Sequence, residues 1–383
     1  MKVRALRVLG AATLVAAAAA GCGGGGGAAA DDDRLTIGVS VEKTGPVPAL
    51  GNALKGVEAA ARAINAEGGV DGREIELVVR DNAGDPSKAI ANVEEFHDRG
   101  VDIVVGPVFG QNCEAVAPIV AKNDMVDFCL STQDLNPELV QRQFGIGVGY
   151  TETVGFDVAF LATRGRRIGV LGEKGPAGDQ TEAIAEPAAR AAGATVQFER
   201  IETTDTTAKP QIQKLLAGGV DSIYIVSCGP IAIAAAREAI DLGFDGTVLA
   251  PNCFASAAGG EAMKGFANGN LLISAPEFLL GPPLAGSGRK AAIERYQEEI
   301  DAPDTVVAAG WDAVFFVAEA IEQAGSTEPE AIASTLEDDF RFAGVWHAGT
   351  TTAEDHRGAI TDGALVPAEV TPQGTFTALE AER

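Results

Sequence analysis

The chain has 383 residues, 46% of them hydrophobic and 22% charged, enough apolar material for more than one buried core and too little unpatterned polarity for global disorder. Its formal charge of -25 makes a surface that repels phosphate backbones and anionic headgroups, which argues against nucleic-acid partners and direct membrane adsorption. Aromatic residues are only 5%, too few for stacking platforms or a carbohydrate cleft built of Trp.

At the N-terminus Lys2, Arg4 and Arg7 precede an apolar run from Val8 to Ala20. The run is too short to span a bilayer and ends in small residues, so residues 1–21 read as a secretory signal. Ala19-Ala20-Gly21-Cys22 resembles a bacterial lipobox, with Ala19 where Leu is usual. Cys22 is therefore the expected lipidation site. Residues 22–34, mostly Gly, Ala and Asp, form a tether spanning roughly 20 Å by the Gly-rich chain estimate. The expected place of the protein is the periplasm or the outer face of the cell membrane, with contact to lipid only through that anchor.

The body begins with a strand, Leu35 to Val41, and a helix carrying Leu54, Val57, Ala60, Ala61 and Ile64 on one face, stopped at Gly68-Gly69. Glu74 to Arg80 is a second strand. Asp85 is placed to cap the next helix, with Pro86 at its first turn and Ile90, Val93 and Phe96 inward. Val101 to Val105 is a third, nearly continuous apolar strand of the kind found in parallel sheets covered on both faces. The alternation repeats after Arg166: strands at Ile168 to Leu171, Thr195 to Ile201 and Asp221 to Val226, and helices at Glu182 to Ala192 and Gln211 to Leu216. Pro187 is expected to delay the start of the first of these helices or to kink it. Gly100-Val101-Asp102-Ile103 is echoed by Gly219-Val220-Asp221-Ser222-Ile223. Two lobes of like, doubly wound topology follow.

The tail adds a strand at Leu271 to Ala275 and helices at Ile293 to Ile300, Trp311 to Gln323 and Glu330 to Leu336. Strands near Gly363 to Val366 and Thr375 to Leu379 complete it. Elements beyond a second complete lobe mean that the chain crosses back to the first.

Several segments resemble the branched-chain amino acid-binding proteins of ABC transporters. They are Gly45-Pro46, Asn65 to Arg73, Asp81-Asn-Ala-Gly-Asp85-Pro86, Val104-Val-Gly-Pro-Val108, Ala117-Pro118 and Asn136-Pro-Glu-Leu139. The resemblance runs from about Leu35 to the C-terminus. It implies an α/β fold of two parallel-sheet lobes joined by three crossovers, the type I periplasmic-binding architecture. The crossovers would lie near Gly147, Ala275 and Phe342, giving lobes of 35–147 with 276–341 and 148–275 with 342–383. It also implies hinge closure around a small-molecule ligand, delivery to a permease, no cofactor and no enzymatic chemistry. The chain is expected to act as a monomer.

Ligands of open parallel sheets sit outside the carboxyl ends of the strands. That rule points to the loops at Thr44 to Gly51, Phe109 to Asn112, Ser131 to Asp134, Glu173 to Gly175, Ser227 to Gly229 and Asn252 to Phe254. The candidate contacts are Thr44, Leu50, Phe109, Gly110, Gln111, Ser131, Thr132, Gln133, Asp134, Tyr150, Lys174, Cys228, Asn252 and Phe254. The resemblance sets three of them apart. Gly110 matches the family's serine, Leu50 its first-loop aromatic, and Asn252 the acid that pairs with an amino group. An amide cannot neutralise a buried ammonium. Either Asp134 replaces the acid, or the ligand lacks an α-ammonium, as amides, ureas and small carboxylates do.

Cys113 and Cys129 lie near the ends of strands three and four, and Cys228 and Cys253 at the corresponding ends of the second lobe. Adjacent strands are close enough for bridging, so two disulfides are expected, Cys113–Cys129 and Cys228–Cys253. His97, His347 and His356 lack metal-type spacing. Gly145-Ile-Gly-Val-Gly149 fails the dinucleotide pattern at Tyr150, and Asp355-His356-Arg357 reads as a turn. A sensory module presenting its closed form to a membrane receptor needs the same cleft. A secreted amidase would need a nucleophile–base pair that no motif supplies.

Overall fold

The computed structural model describes residues 34–135, 141–228, 230–360 and 364–379. The signal, Cys22, nearly all of the tether, the Asn136 to Leu139 motif and Gly229 lie outside the described residues.

The first sheet takes β1 (Arg34–Val41), β2 (Glu74–Asp81), β3 (Ile103–Val105), β4 (Val126–Cys129) and β5 (Gln143–Gly145). The helices between them are α1 (Ala53–Ala66), α2 (Pro86–Asp98) and α3 (Gly110–Lys122). The order is β2-β1-β3-β4-β5, and every pairing is parallel. Asp85 caps α2 as its position predicts, accepting N–H bonds from Ser87 and Lys88.

The second sheet begins after α4 (Tyr150–Arg164). In chain order follow β6 (Arg167–Glu173), α5 (Pro176–Ala191), β7 (Thr195–Ile201), α6 (Lys209–Ala217) and β8 (Ser222–Val226). Then come α7 (Pro230–Asp241), β9 (Thr247–Ala250), α8 (Ala257–Met263) and β10 (Leu271–Ala275). Pro187 neither delays nor ends α5, which starts at Pro176, where a missing N–H costs nothing.

The chain then returns through α9 (Lys290–Glu299), α10 (Thr305–Ala324), α11 (Pro329–Leu336), β11 (Phe340–Ala343), β12 (Ala348–Thr351) and β13 (Ala359–Ile360). It ends with β14 (Val366–Val370) and β15 (Phe376–Ala378). The second sheet runs β15-β14-β10-β9-β8-β6-β7, with β14 and β15 added antiparallel.

The third crossing is displaced from its expected place near Phe342. Phe340, Phe342, Val345, Trp346, Ala364 and Leu365 all belong to the core formed by β1, α1 and α10. The alternation of β11 turns Phe340 and Phe342 onto Phe316 of α10, each at 5.1 Å between ring centroids. Only at β14 does the chain join the second sheet. Phe342, Val345, Trp346, Ala364 and Leu365 therefore pack with the first lobe.

Asp127 of β4 is buried and accepts a 2.6 Å bond from Gln143 Nε2. Its other oxygen has no hydrogen-bond partner among the described residues. Burial pushes this carboxyl up to about 8, against the opposing effect of the Gln143 bond. A folded-state value above the unfolded one stabilises at low pH, and that stability is lost as pH rises through about 8. Asp127→Asn is expected to gain on wild type by up to about 1.4 kcal/mol per pH unit between pH 5 and 8 in urea unfolding. A gap that does not change with pH would contradict this.

Candidate functional site

The carboxyl ends of both parallel sheets meet at one cavity of about 430 Å³. Its first-lobe wall begins with a buried carboxylate. Glu42, just past β1, accepts the N–H groups of Val108 and Phe109, both at 3.2 Å, and the side-chain amides of Asn82 and Asn112 at 3.1 and 3.0 Å. These bonds fix the start of α3, whose first residue, Gly110, lines the cavity. No side chain caps α3. Its first N–H groups thus stand at the cavity wall, where they suit a carboxylate or another acceptor.

Gly110 leaves room there for its neighbour. A Cβ on Gly110 would lie 1.5 Å from Gln133 Oε1. The Gln133 amide fills the space that a side chain at position 110 would need. Ser131 Oγ accepts the Gln133 N–H at 3.1 Å, which holds the loop after β4 in that turn. Leu50, Phe109, Leu130, Val306, Ala309 and Trp346 supply the apolar part of this side.

The second-lobe wall is built from Tyr150, Glu173, Gln180, Thr181, Tyr224, Cys228 and Asn252, among others. Thr181 donates to the Ala177 carbonyl at 2.9 Å, so the Tyr150 hydroxyl, 2.6 Å from Thr181 Oγ1, is the donor of that pair. Burial raises the Tyr150 phenol, and the charges of Glu173 and Asp134 raise it further. Behind Tyr224 the buried Asp157 is bonded by Ser274 and is pushed up to about 7 by its burial. Among the described residues lining the cavity, Glu173 is the one charged side chain.

Of the candidates read from the sequence, the cavity is lined by Leu50, Phe109, Gly110, Ser131, Thr132, Gln133, Tyr150, Cys228 and Asn252. Five are placed elsewhere. Thr44 is drawn away by Asp81, to which its hydroxyl donates at 2.6 Å. Gln111 is exposed on α3, one residue past the wall. Asp134 accepts from Thr151 N and Oγ1, at 3.2 and 2.6 Å, and from Gln180 Nε2 at 3.2 Å. It therefore ties the rim of one lobe to the other and does not replace the missing acid at Asn252. Lys174 pairs with Glu202 on the surface at 3.2 Å. Phe254 packs against the second-lobe core.

Glu173 lies in a loop the strand-end rule selects, beside the candidate Lys174, and it is the carboxylate that faces the cavity. Thr305, Val306 and Ala309 also line the cavity, because α10 starts at Thr305, six residues before the apolar stretch at Trp311 that marks it in the sequence. The cap at Asp304, which accepts the Val307 N–H at 2.7 Å, was the available signal.

Both expected disulfides are present, Cys113–Cys129 and Cys228–Cys253. The first joins the opening turn of α3 to the end of β4. The second joins the loops after β8 and β9 on the opposite wall.

Two open, mainly parallel sheets whose strand ends converge on one cleft define a cleft-type binding protein. The chain belongs to the family described as periplasmic binding protein, whose profile matches residues 34–374. It is 28% identical over 320 residues to the leucine-, isoleucine-, valine-, threonine- and alanine-binding protein of Pseudomonas aeruginosa, covering 79% of this chain and 82% of that one. A Leu/Ile/Val-binding protein homologue of Brucella melitensis is 26% identical over the same share of this chain and 83% of its own. Among solved structures, a leucine-binding protein of Thermotoga maritima superposes with a TM-score of 0.71 at 21% identity, covering 90% of this chain and 98% of that one. The isoleucine complex of a branched-chain amino acid transporter substrate-binding protein from Streptococcus pneumoniae gives 0.72 at 20% identity, with the same coverage. These likenesses support the two-lobed fold and a solute-binding role, and the curated relatives are binding proteins, not enzymes.

Proposed function

We propose that this chain is an extracytoplasmic lipoprotein that captures a small amino acid-like solute by hinge closure and delivers it to an ABC permease. The leader, Cys22 and the glycine tether support the anchoring part of this reading. The observation that carries the ligand part is the polarity of the cavity. One wall offers the uncapped start of α3, Ser131 and the Gln133 amide. The other offers a single carboxylate, Glu173. A carboxylate placed on the first wall leaves an ammonium beside Glu173, and the apolar residues between them accept an aliphatic side chain. Glu173 thus takes the charge-pairing task that Asn252 cannot perform.

The test is isothermal titration calorimetry with L-leucine, L-isoleucine, L-valine, L-alanine and L-threonine, together with leucinamide and 4-methylpentanoate. The full zwitterions are expected to bind best. Glu173→Gln is expected to weaken them by about 30-fold or more, as removal of one partner of a desolvated charge pair does, with little effect on 4-methylpentanoate. Gln133→Ala and Asn252→Ala are expected to weaken binding without unfolding the protein. Wild-type protein that ignores every compound at millimolar concentration would end the amino acid reading. Unchanged affinity in all three variants would show that the ligand lies elsewhere.

A further inference from the structure

The glycine run Gly145-Ile146-Gly147-Val148-Gly149 is the crossover from β5 to α4, and each of its glycines is a slot. A Cβ on Gly145 would lie 2.7 Å from Arg357 Cζ and 2.9 Å from its Nε and Nη2. On Gly147, whose φ is +96°, it would lie 2.4 Å from Trp346 Nε1. On Gly149 it would lie 2.1 Å from Glu152 Oε2 and 3.1 Å from Arg357 Cδ. A segment from the far end of the chain is laid into this track.

What occupies it is a buried guanidinium. Arg357 Nη1 donates to the Ile146 and Gly147 carbonyls at 3.4 and 3.2 Å. Its Nη2 donates to the Ser131 and Gln133 carbonyls, both at 2.8 Å. One planar group therefore holds the crossover on one edge and the cavity loop after β4 on the other. A fixed fork of donors can do this, and the single point charge of Lys cannot. The turn that carries Arg357 is itself anchored. Asp355 accepts the N–H groups of Arg357 and Gly358 at 3.0 and 2.9 Å, and His356 accepts the Gly145 N–H at 3.0 Å through its carbonyl. The His356 ring stacks on Phe144 at 4.4 Å.

We propose that Arg357 is a positioning residue for the cavity: it locks the 131–133 loop to the 146–147 crossover, so that the loop carrying Ser131 and Gln133 and the connection between the lobes move as one piece. The inference rests on the cavity being the ligand site, but its test uses no ligand.

Hydrogen exchange is measured by mass spectrometry on the full chain without ligand, for wild type, Arg357→Gln, Arg357→Lys and Gly145→Ala. In Arg357→Gln, peptides covering 131–133 and 145–147 are expected to exchange about 10-fold faster or more, the loss expected when hydrogen bonds to a charged group are removed. Peptides covering β8 and β9 are expected to stay at wild-type rates. Arg357→Lys is expected to fall between. Gly145→Ala, which drives the guanidinium from its slot, is expected to reproduce the Gln pattern and to add nothing when combined with it. If Arg357→Gln does not fold, Gly145→Ala carries the test alone. Unchanged exchange in the loop, a uniform rise over both lobes, or additive effects of the two substitutions would overturn the proposal. Because no ligand is present, failure of the amino acids to bind in calorimetry would count against the proposed function only.

Discussion

Asp312→Ala is expected to destabilise the protein by about 3–5 kcal/mol, because it leaves several buried backbone donors without an acceptor. Asp312 sits on α10 and accepts the N–H groups of Val345, Trp346 and His347, at 2.8, 2.6 and 2.6 Å. The turn it holds is buried. The opposite side of that turn is held by Arg289, whose Nη1 donates to the Val345 carbonyl at 2.9 Å. The turn delivers Trp346 to the cavity wall, so the loss is expected to reach the site. Equilibrium unfolding in guanidinium chloride measures the first effect. A red shift of tryptophan emission in the still-folded variant reports the second. Asp312→Asn retains one acceptor and is expected to fall between. A cost below about 1 kcal/mol would mean that the turn is held by its packing and not by the carboxylate.

The disulfides are the second large effect. They close loops with sequence separations of 16 and 25. Chain entropy alone assigns about 3 kcal/mol to each. Paired Cys→Ser replacement of either is expected to lower stability by that order. The two should differ in reactivity. Cys228 and Cys253 are exposed, whereas Cys113 and Cys129 are 3% and 0% exposed. Mild reductant is therefore expected to open Cys228–Cys253 in the folded protein and to reach Cys113–Cys129 only on unfolding. Differential alkylation followed by peptide mass analysis reads the order directly. Simultaneous release of all four thiols would contradict it.

Much of the fold was legible because it is written in local patterns. Apolar runs bounded by Gly and Pro marked β1, β2 and β10, and Asp85-Pro86 marked the start of α2. The strand-end rule found part of the cavity on both walls from lobe topology alone, including Gly110, Gln133 and Asn252. It failed where a nearer partner won. Thr44 is held by Asp81 and Lys174 by Glu202, and neither competition can be seen from a loop's position. The tail was the hardest part to read. Phe342, Val345 and Trp346 return to the first core because Phe340 and Phe342 meet Phe316, a contact that no periodicity announces. The same long-range packing explains the glycine run, which sequence could only compare with a nucleotide loop. Its small residues admit Arg357 and Trp346 from that tail.

The contact between Gly110 and Gln133 couples two positions of the cleft wall. A serine introduced at 110 meets the end of the Gln133 side chain, which has to swing out of that space before the hydroxyl can face the solute. Substitutions at the two positions are therefore expected to be non-additive in ligand affinity, and Gln133→Ala is expected to make room for the serine.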